Sequence, residues 1–190
     1  MTTTRLETFS DGVLAIIMTI MVLELAQPER ADLPALLDEW PHFAIYALSF
    51  VGLGIYWNNH HHLLHAADRV NGSVLWANLL LLFWLSLVPY VTAWVGNQGL
   101  TPATTAVYAG VHLMAALSYL VLVPALVRCN GPRSRIADAA GRDIKGKISM
   151  ALYVFGVGIA FVLPPLSIAA CVVVALMWFI PDRRLEQVGE

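Results

Sequence analysis

Charged side chains are scarce in this sequence. Asp, Glu, Lys and Arg make up 13% of the 190 residues, whereas 58% are apolar. A soluble domain usually has about a quarter of its residues charged, so this composition excludes an ordinary soluble protein and predicts an all-α integral membrane protein. Six membrane-spanning helices of about 20 residues each would use most of the length. We therefore expect one six-helix transmembrane domain over residues 1–190.

The sequence also has only two cysteines and no excess of basic over acidic residues. Cys129 and Cys171 lack the spacing of a disulfide framework or a metal site. A net charge of −2 gives no basic field for nucleic acid. No Ser-His-Asp or paired-carboxylate constellation is evident, and the adjacent Ser10 and Asp11 would diverge on a helix. We therefore expect neither an enzyme nor a nucleic-acid partner, and no cofactor.

Uncharged apolar runs locate the predicted helices at about residues 8–26, 43–60, 74–95, 103–127, 148–163 and 166–180. Pro164-Pro165 separates the last two runs and predicts a tight turn, because proline lacks an amide donor and restricts the residue before it. The alternative is a five-helix protein in which these two runs form one broken helix.

Basic residues predict the orientation. With six helices, ten of the eleven lysine and arginine residues lie on one side of the membrane and only Arg30 on the other. Both termini are then expected in the cytoplasm, in a multi-pass protein of the cell membrane. Five helices would put Arg183 and Arg184 outside, so the charge distribution favours six. The ten are Arg5, Arg69, Arg128, Arg133, Arg135, Arg142, Lys145, Lys147, Arg183 and Arg184.

The first predicted helix has two distinct faces. Asp11 lies about one turn inside an apolar run, where a carboxylate costs a few kcal/mol unless it is paired or faces water. At about 100° per residue, Ser10 and Asp11 are well separated from a second stripe, which we expect to be protein core, lipid-facing or the lining of a narrow pore. That stripe contains Gly12, Ile16, Thr19, Ile20 and Leu23.

Histidines cluster at the end of the second predicted helix, in Trp57-Asn58-Asn59-His60-His61-His62-Leu63-Leu64-His65. His61 and His65 share one helical face, and imidazole is a ligand for zinc, copper or nickel. No Cys, Asp or Glu stands at ligand spacing before Asp68, so we expect no metal site there.

Three motifs resemble one known family. Arg5-x-x-x-Phe9-Ser10-Asp11 is similar to the signature of the transmembrane protein 175 potassium channels of bacteria and lysosomal membranes. The run 57–60 resembles that family's Trp-x-x-His on the second helix. The third-helix pattern of the family is similar to Asn78-Leu79-Leu80-Leu81-Leu82 and Leu87-Val88-Pro89-Tyr90. Together these motifs cover about the first half of the chain.

The resemblance implies a homotetramer in the lipid bilayer, with first helices lining a central pore for monovalent cations. The Gly-Tyr-Gly carbonyl filter of other potassium channels is missing from this sequence. By position, the constriction is Ile16, followed by the Thr19 hydroxyl and Leu23, with Ile20 as a further layer. Glu24 would concentrate cations at the outer mouth if it is exposed.

The resemblance also assigns a polar network to the other face of the first helix. In this network, Trp57 and His60 form hydrogen bonds with Ser10 and Asp11. Asn78 is a further candidate member. Arg5 has three candidate partners, namely Glu7, Asp11 and a neighbouring subunit.

Three functions remain to be compared. The first is a potassium-permeable channel with a hydrophobic constriction at Ile16. The second is a proton-coupled transporter or proton pathway in which Asp11 and His60 titrate. The third is a metal- or haem-binding membrane protein built on residues 60–65.

Overall fold

A computed structural model describes residues 3–25, 27–140 and 143–179 of the chain. Arg142, Arg183 and Arg184, which entered the orientation argument, lie outside the described residues, as do the predicted segment ends at Ala26 and Ile180. The described part contains helices, turns and loops and no strand. Its helices are α1 Thr3–Ile20, α2 Leu33–Asp38, α3 Trp40–His65, α4 Gly72–Ser86, α5 Val88–Gln98, α6 Pro102–Asn130, α7 Arg135–Ala140, α8 Ile144–Ile159 and α9 Pro164–Phe179.

Several of these helices have the length and apolarity of membrane spans. Within the described residues, three stretches are long and apolar enough to cross a bilayer: Thr3–Glu24, Gly72–Gln98 and Pro102–Asn130. Helix α3 is 26 residues long, and α9 is a shorter apolar helix. The predicted segment 74–95 differs from the structure, because its helix is interrupted at Leu87. Pro89 lies in the first turn of α5, where its missing amide donor costs no hydrogen bond.

Short polar caps start several helices. Asn71 accepts from the amide of Val74 at the start of α4, and Asp143 accepts from that of Gly146 at the start of α8. Thr101 and Thr104 form a reciprocal capping box at the start of α6.

Helices α8 and α9 form an antiparallel hairpin. α8 ends at Ile159 and α9 starts at Pro164, and the intervening backbone is hydrogen-bonded as a turn. At the far end of the hairpin, the Trp178 indole donates to the Ser149 hydroxyl over 2.8 Å. The chain therefore reverses direction between α8 and α9.

The buried core is centred on α6, which contacts α4, α5, α8 and α9. Helix α1 lies at the edge of this bundle and contacts α3, α4 and α5. One stripe of α1 is buried, with Leu6, Ser10, Leu14 and Ile17 spaced by three or four residues. The opposite stripe has no cover within the protomer.

Basic residues collect at one end of the bundle, which we call the basic end. The start of α1 meets the end of α3 there, because the Glu7 carboxylate lies 2.8 Å from the His61 imidazole. The end of α6 joins the same region, since the Asn130 side chain accepts from the amides of Asp68 and Arg69. The described basic residues at this end are Arg5, Arg69, Arg128, Arg133, Arg135, Lys145 and Lys147.

Candidate functional site

The uncovered stripe of α1, continued into the turn that follows it, contains every residue that the sequence assigned to a constriction. Ile16 is 58% exposed and Leu23 is 79% exposed in the protomer. Thr19 and Ile20 are exposed as well. We call the set the open stripe; its members are Gly12, Ile16, Thr19, Ile20 and Leu23. Apolar side chains at this exposure need a second cover, either lipid or another protein surface.

The Thr19 hydroxyl has a defined polarity. Its proton is donated to the backbone carbonyls of Ala15 and Ile16, at 2.9 and 3.0 Å. Carbonyl oxygens only accept, so the hydroxyl turns its own lone pairs outward from the helix. Thr19 therefore offers the open stripe an acceptor, which suits a cation and not an anion.

The helix changes form at the outer end of the open stripe. After Ile20 the chain continues as a 3-10 turn, Met21–Glu24, and Leu25 is extended. A 3-10 turn advances about 120° per residue instead of about 100°, so Leu23 lies away from the direction projected from an ideal α-helix. Glu24 is exposed and lies at the end of the bundle opposite to the basic end.

A buried chain of hydrogen bonds joins α1 to α4 and α3. The Asn78 amide nitrogen donates to the Ser10 hydroxyl over 2.9 Å, and the Asn78 carbonyl oxygen lies 2.6 Å from Nε2 of His60. Because that oxygen can only accept, His60 Nε2 is the donor. Ser10 in turn donates to the Leu6 carbonyl. All three side chains are fully buried, and we call them the buried latch.

A second, half-buried pair of contacts joins α1 to α3. The Trp57 indole donates to the Asp11 carboxylate over 3.0 Å, and Glu7 lies beside His61. Asp11 was predicted to need a partner, and the structure gives it one. The Glu7–His61 pair was missed, because it follows only once the contact between Trp57 and Asp11 has set the register of α1 against α3. Glu7 and Asp11 are four residues apart, as are Trp57 and His61, which is the spacing that aligns two antiparallel helices.

Arg5 and Phe9 lie on the same side of α1 as the open stripe. Both are exposed in the protomer. Within the described residues Arg5 makes no hydrogen bond or ion pair, so neither Glu7 nor Asp11 is its partner.

The histidine cluster does not assemble into a metal site in the described part of the chain. No group of three or more His, Cys, Asp or Glu side chains there could hold a metal ion. His61 instead pairs with Glu7 and stacks on His65, with ring centroids 5.9 Å apart. His60 points the other way, into the buried latch.

Comparison with known proteins places this arrangement in a family. The family model described as the endosomal/lysosomal potassium channel TMEM175 matches residues 5–89, which include α1, α3 and α4. A potassium channel of Chryseobacterium sp. (strain P1-3) is 47% identical over 187 residues, covering 98% of this chain and 97% of the relative. The chain belongs to the TMEM175 family.

Two further comparisons match most of the length of this TMEM175 protein. A potassium channel of Streptomyces collinus is 34% identical over 186 residues, covering 92% of this chain and 90% of the relative. A solved structure, described as a lysosomal potassium-selective channel TMEM175 homolog from Chamaesiphon minutus, superposes with a TM-score of 0.82 at 28% identity. That match covers 96% of this chain and 97% of the other. The predicted all-α membrane fold and the family resemblance are thereby confirmed.

Proposed function

We propose that this TMEM175 protein is a potassium-permeable cation channel, with Ile16 of the open stripe as its constriction. The observation that carries the proposal is the uncovered stripe itself. The opposite face of the same helix is hydrogen-bonded to α4 and α3 through the buried latch. The open stripe therefore faces away from the rest of the chain. The relatives over nearly the full length are named potassium channels. Such a protein is not an enzyme and needs no cofactor, since the cation is its cargo.

Closure of the pore requires several copies of the open stripe. We propose a homotetramer in which four α1 helices surround the axis, as the family resemblance implies. Four Ile16 side chains offer no partner to the hydration shell of an ion and exclude it by dewetting. Four Thr19 hydroxyls, each with its lone pairs directed outward, would replace part of that shell. Glu24 would raise the cation concentration at the far mouth.

The buried latch suits a fixed scaffold better than a proton pathway. His60 donates its Nε2 proton to the side-chain oxygen of Asn78, and its buried Nδ1 atom has no hydrogen-bond partner among the described residues. A second proton on Nδ1 would therefore have no acceptor among the described residues. Asp11 is also engaged, as the acceptor for Trp57. These contacts favour the channel over the proton-coupled transporter.

The orientation follows from the basic end. We propose that this end faces the cytoplasm and that the protein resides in the cell membrane with both termini inside. The described arginine and lysine residues at that end support this, with Arg30 at the opposite end beside Asp32.

Potassium flux through the purified protein tests the function. In potassium-loaded vesicles placed in a medium with an impermeant cation, we expect a channel to create a negative internal potential. Protons then enter only when a protonophore is added, which a pH-sensitive dye reports. Entry of protons without the protonophore would support the proton-coupled alternative, and no potassium movement would contradict the channel.

Disulfide cross-linking tests the assembly. In a chain with Cys129→Ser and Cys171→Ala, we expect Ile16→Cys to form covalent dimers under mild oxidation, because the open stripes meet on an axis. Leu176→Cys is the control, since Leu176 is also exposed but lies on α9. Equal cross-linking at both positions, or none at Ile16, would show that the stripe does not line a shared pore.

Substitution at Thr19 tests cation coordination. Thr19→Val keeps the shape and removes the acceptor, whereas Thr19→Ser keeps the acceptor. If one hydroxyl contributes about 1 kcal/mol to the preference for potassium over sodium, we expect that permeability ratio to fall about fivefold in Thr19→Val. It should stay close to wild type in Thr19→Ser. An unchanged ratio in both variants would remove Thr19 from the selectivity mechanism.

A further inference from the structure

A cavity separate from the open stripe lies between α3, α6, α8 and α9. The volume open to a water-sized molecule is about 70 Å³, within about 720 Å³ of empty space that includes the open mouth. It extends from Asp143 and Gly146 at the first turn of α8 to Leu48 in the middle of α3. No residue of α1 lines it, so an occupant would not stand in the proposed ion path.

Two buried residues that line this cavity each have a polar side-chain atom with no partner among the described residues. His112, 6% exposed, has its Nδ1 atom 2.9 Å from the Tyr108 carbonyl. The carbonyl only accepts, so Nδ1 carries the proton and Nε2 is left as an acceptor. The Tyr153 hydroxyl makes no hydrogen bond with any described residue. Neither atom is sealed from the cavity that its residue lines, so an occupant of the cavity can form hydrogen bonds with both.

The mouth of the cavity combines a carboxylate with aromatic rings. One Asp143 oxygen accepts from the Gly146 amide at 2.8 Å, and the other accepts from no described residue. Tyr56 and Tyr119 meet edge to face beside it, with ring centroids 6.4 Å apart. The Lys145 ammonium lies 5.6 Å from the centroid of the Trp178 ring. A carboxylate next to aromatic faces attracts a cationic nitrogen donor.

We propose that this cavity binds a small amphipathic amine. Its ammonium group contacts Asp143 at the mouth, and its apolar body extends between Tyr56 and Tyr153 toward His112. Asp143 at the mouth and Nε2 of His112 deeper in the cavity are both acceptors, so an occupant with hydrogen-bond donors fits them. The site lies within one protomer and does not depend on the proposed pore.

Photolabelling of the full-length protein in vesicles tests the site. The probe is an alkylamine that carries a diazirine, and octylamine, octanol and octanoate serve as competitors. We expect the label on peptides that contain Tyr56, Tyr153 or Trp178, displaced by octylamine but not by octanoate. Asp143→Asn should weaken probe binding about tenfold through loss of the charged contact. It keeps the helix cap, because asparagine is also a good capping residue.

A second pair of variants tests the cavity itself. Gly52 lines the cavity, and a Cβ there would come within 3.9 Å of His112 Nε2. Gly52→Leu should therefore fill the space and abolish labelling. Gly158→Leu is the matched control, since a Cβ at that exposed position meets nothing within 4 Å. The proposal would be overturned by full labelling of Gly52→Leu, by label confined to α1, or by equal competition from octanoate.

Discussion

Potassium flux is expected to rise about tenfold when Ile16 is replaced by asparagine, if the change lowers the barrier to permeation by about 1.4 kcal/mol. In the proposed channel, the barrier to permeation is the exclusion of water and hydrated ions by an apolar ring of Ile16 side chains. A carboxamide at each Ile16 position would give the hydration shell donors and acceptors, so the ring would no longer dewet. Ile16 is exposed in the protomer, so the substitution removes little packing and assembly should persist.

The matched control for this variant is Ile148→Asn. Ile148 is 45% exposed and lies on α8, away from the open stripe. The same chemical change there should leave flux at the wild-type level in the protonophore-dependent vesicle assay. Wild-type flux in Ile16→Asn would refute the constriction at Ile16. An equal rise in both variants would indicate general destabilisation of the protein.

The variant Ile20→Asn, measured in parallel, tests whether Ile20 forms a second layer of the constriction.

Both faces of α1 could be predicted from the sequence because they depend on local geometry alone. A regular helix turns about 100° per residue, and this places Ile16 and Thr19 opposite the buried Ser10, as the structure has them. The resemblance then supplied the partners of Ser10 and Asp11 on other helices. Periodicity by itself did not decide whether the open stripe faces lipid, core or a pore.

Other features depend on how helices meet and were not predictable from one chain. One such feature is the central position of α6. Hydropathy identifies a membrane-spanning segment but does not show which segments pack against each other. The pairing of Glu7 with His61 needed the register of α1 against α3. The break at Leu87 and the 3-10 turn after Ile20 were also missed. A mean hydropathy pattern does not distinguish a continuous helix from one with a local irregularity.

Replacing Asn78 with leucine should destabilise the protein by about 2 to 4 kcal/mol. Asn78 holds two partners at once in a fully buried position, and leucine can hold neither. His60 would keep a buried donor without an acceptor, and Ser10 would lose its donor. Unpaired buried polar groups of this kind cost about 1 to 3 kcal/mol each. The loss should also free α1 to move, so we expect altered flux at any temperature where the fold survives.

Thermal unfolding in detergent measures this effect, and Asn58→Leu is the control because Asn58 is exposed on α3. We expect a clear fall in Tm for Asn78→Leu and little change for Asn58→Leu. The double variant His60→Leu with Asn78→Leu removes the orphaned donor along with its acceptor, so part of the lost stability should return. Equal Tm values for Asn78→Leu and Asn58→Leu would mean that the buried latch does not hold α1. Contacts between the subunits of the proposed tetramer would then have to hold Ile16 in the proposed pore.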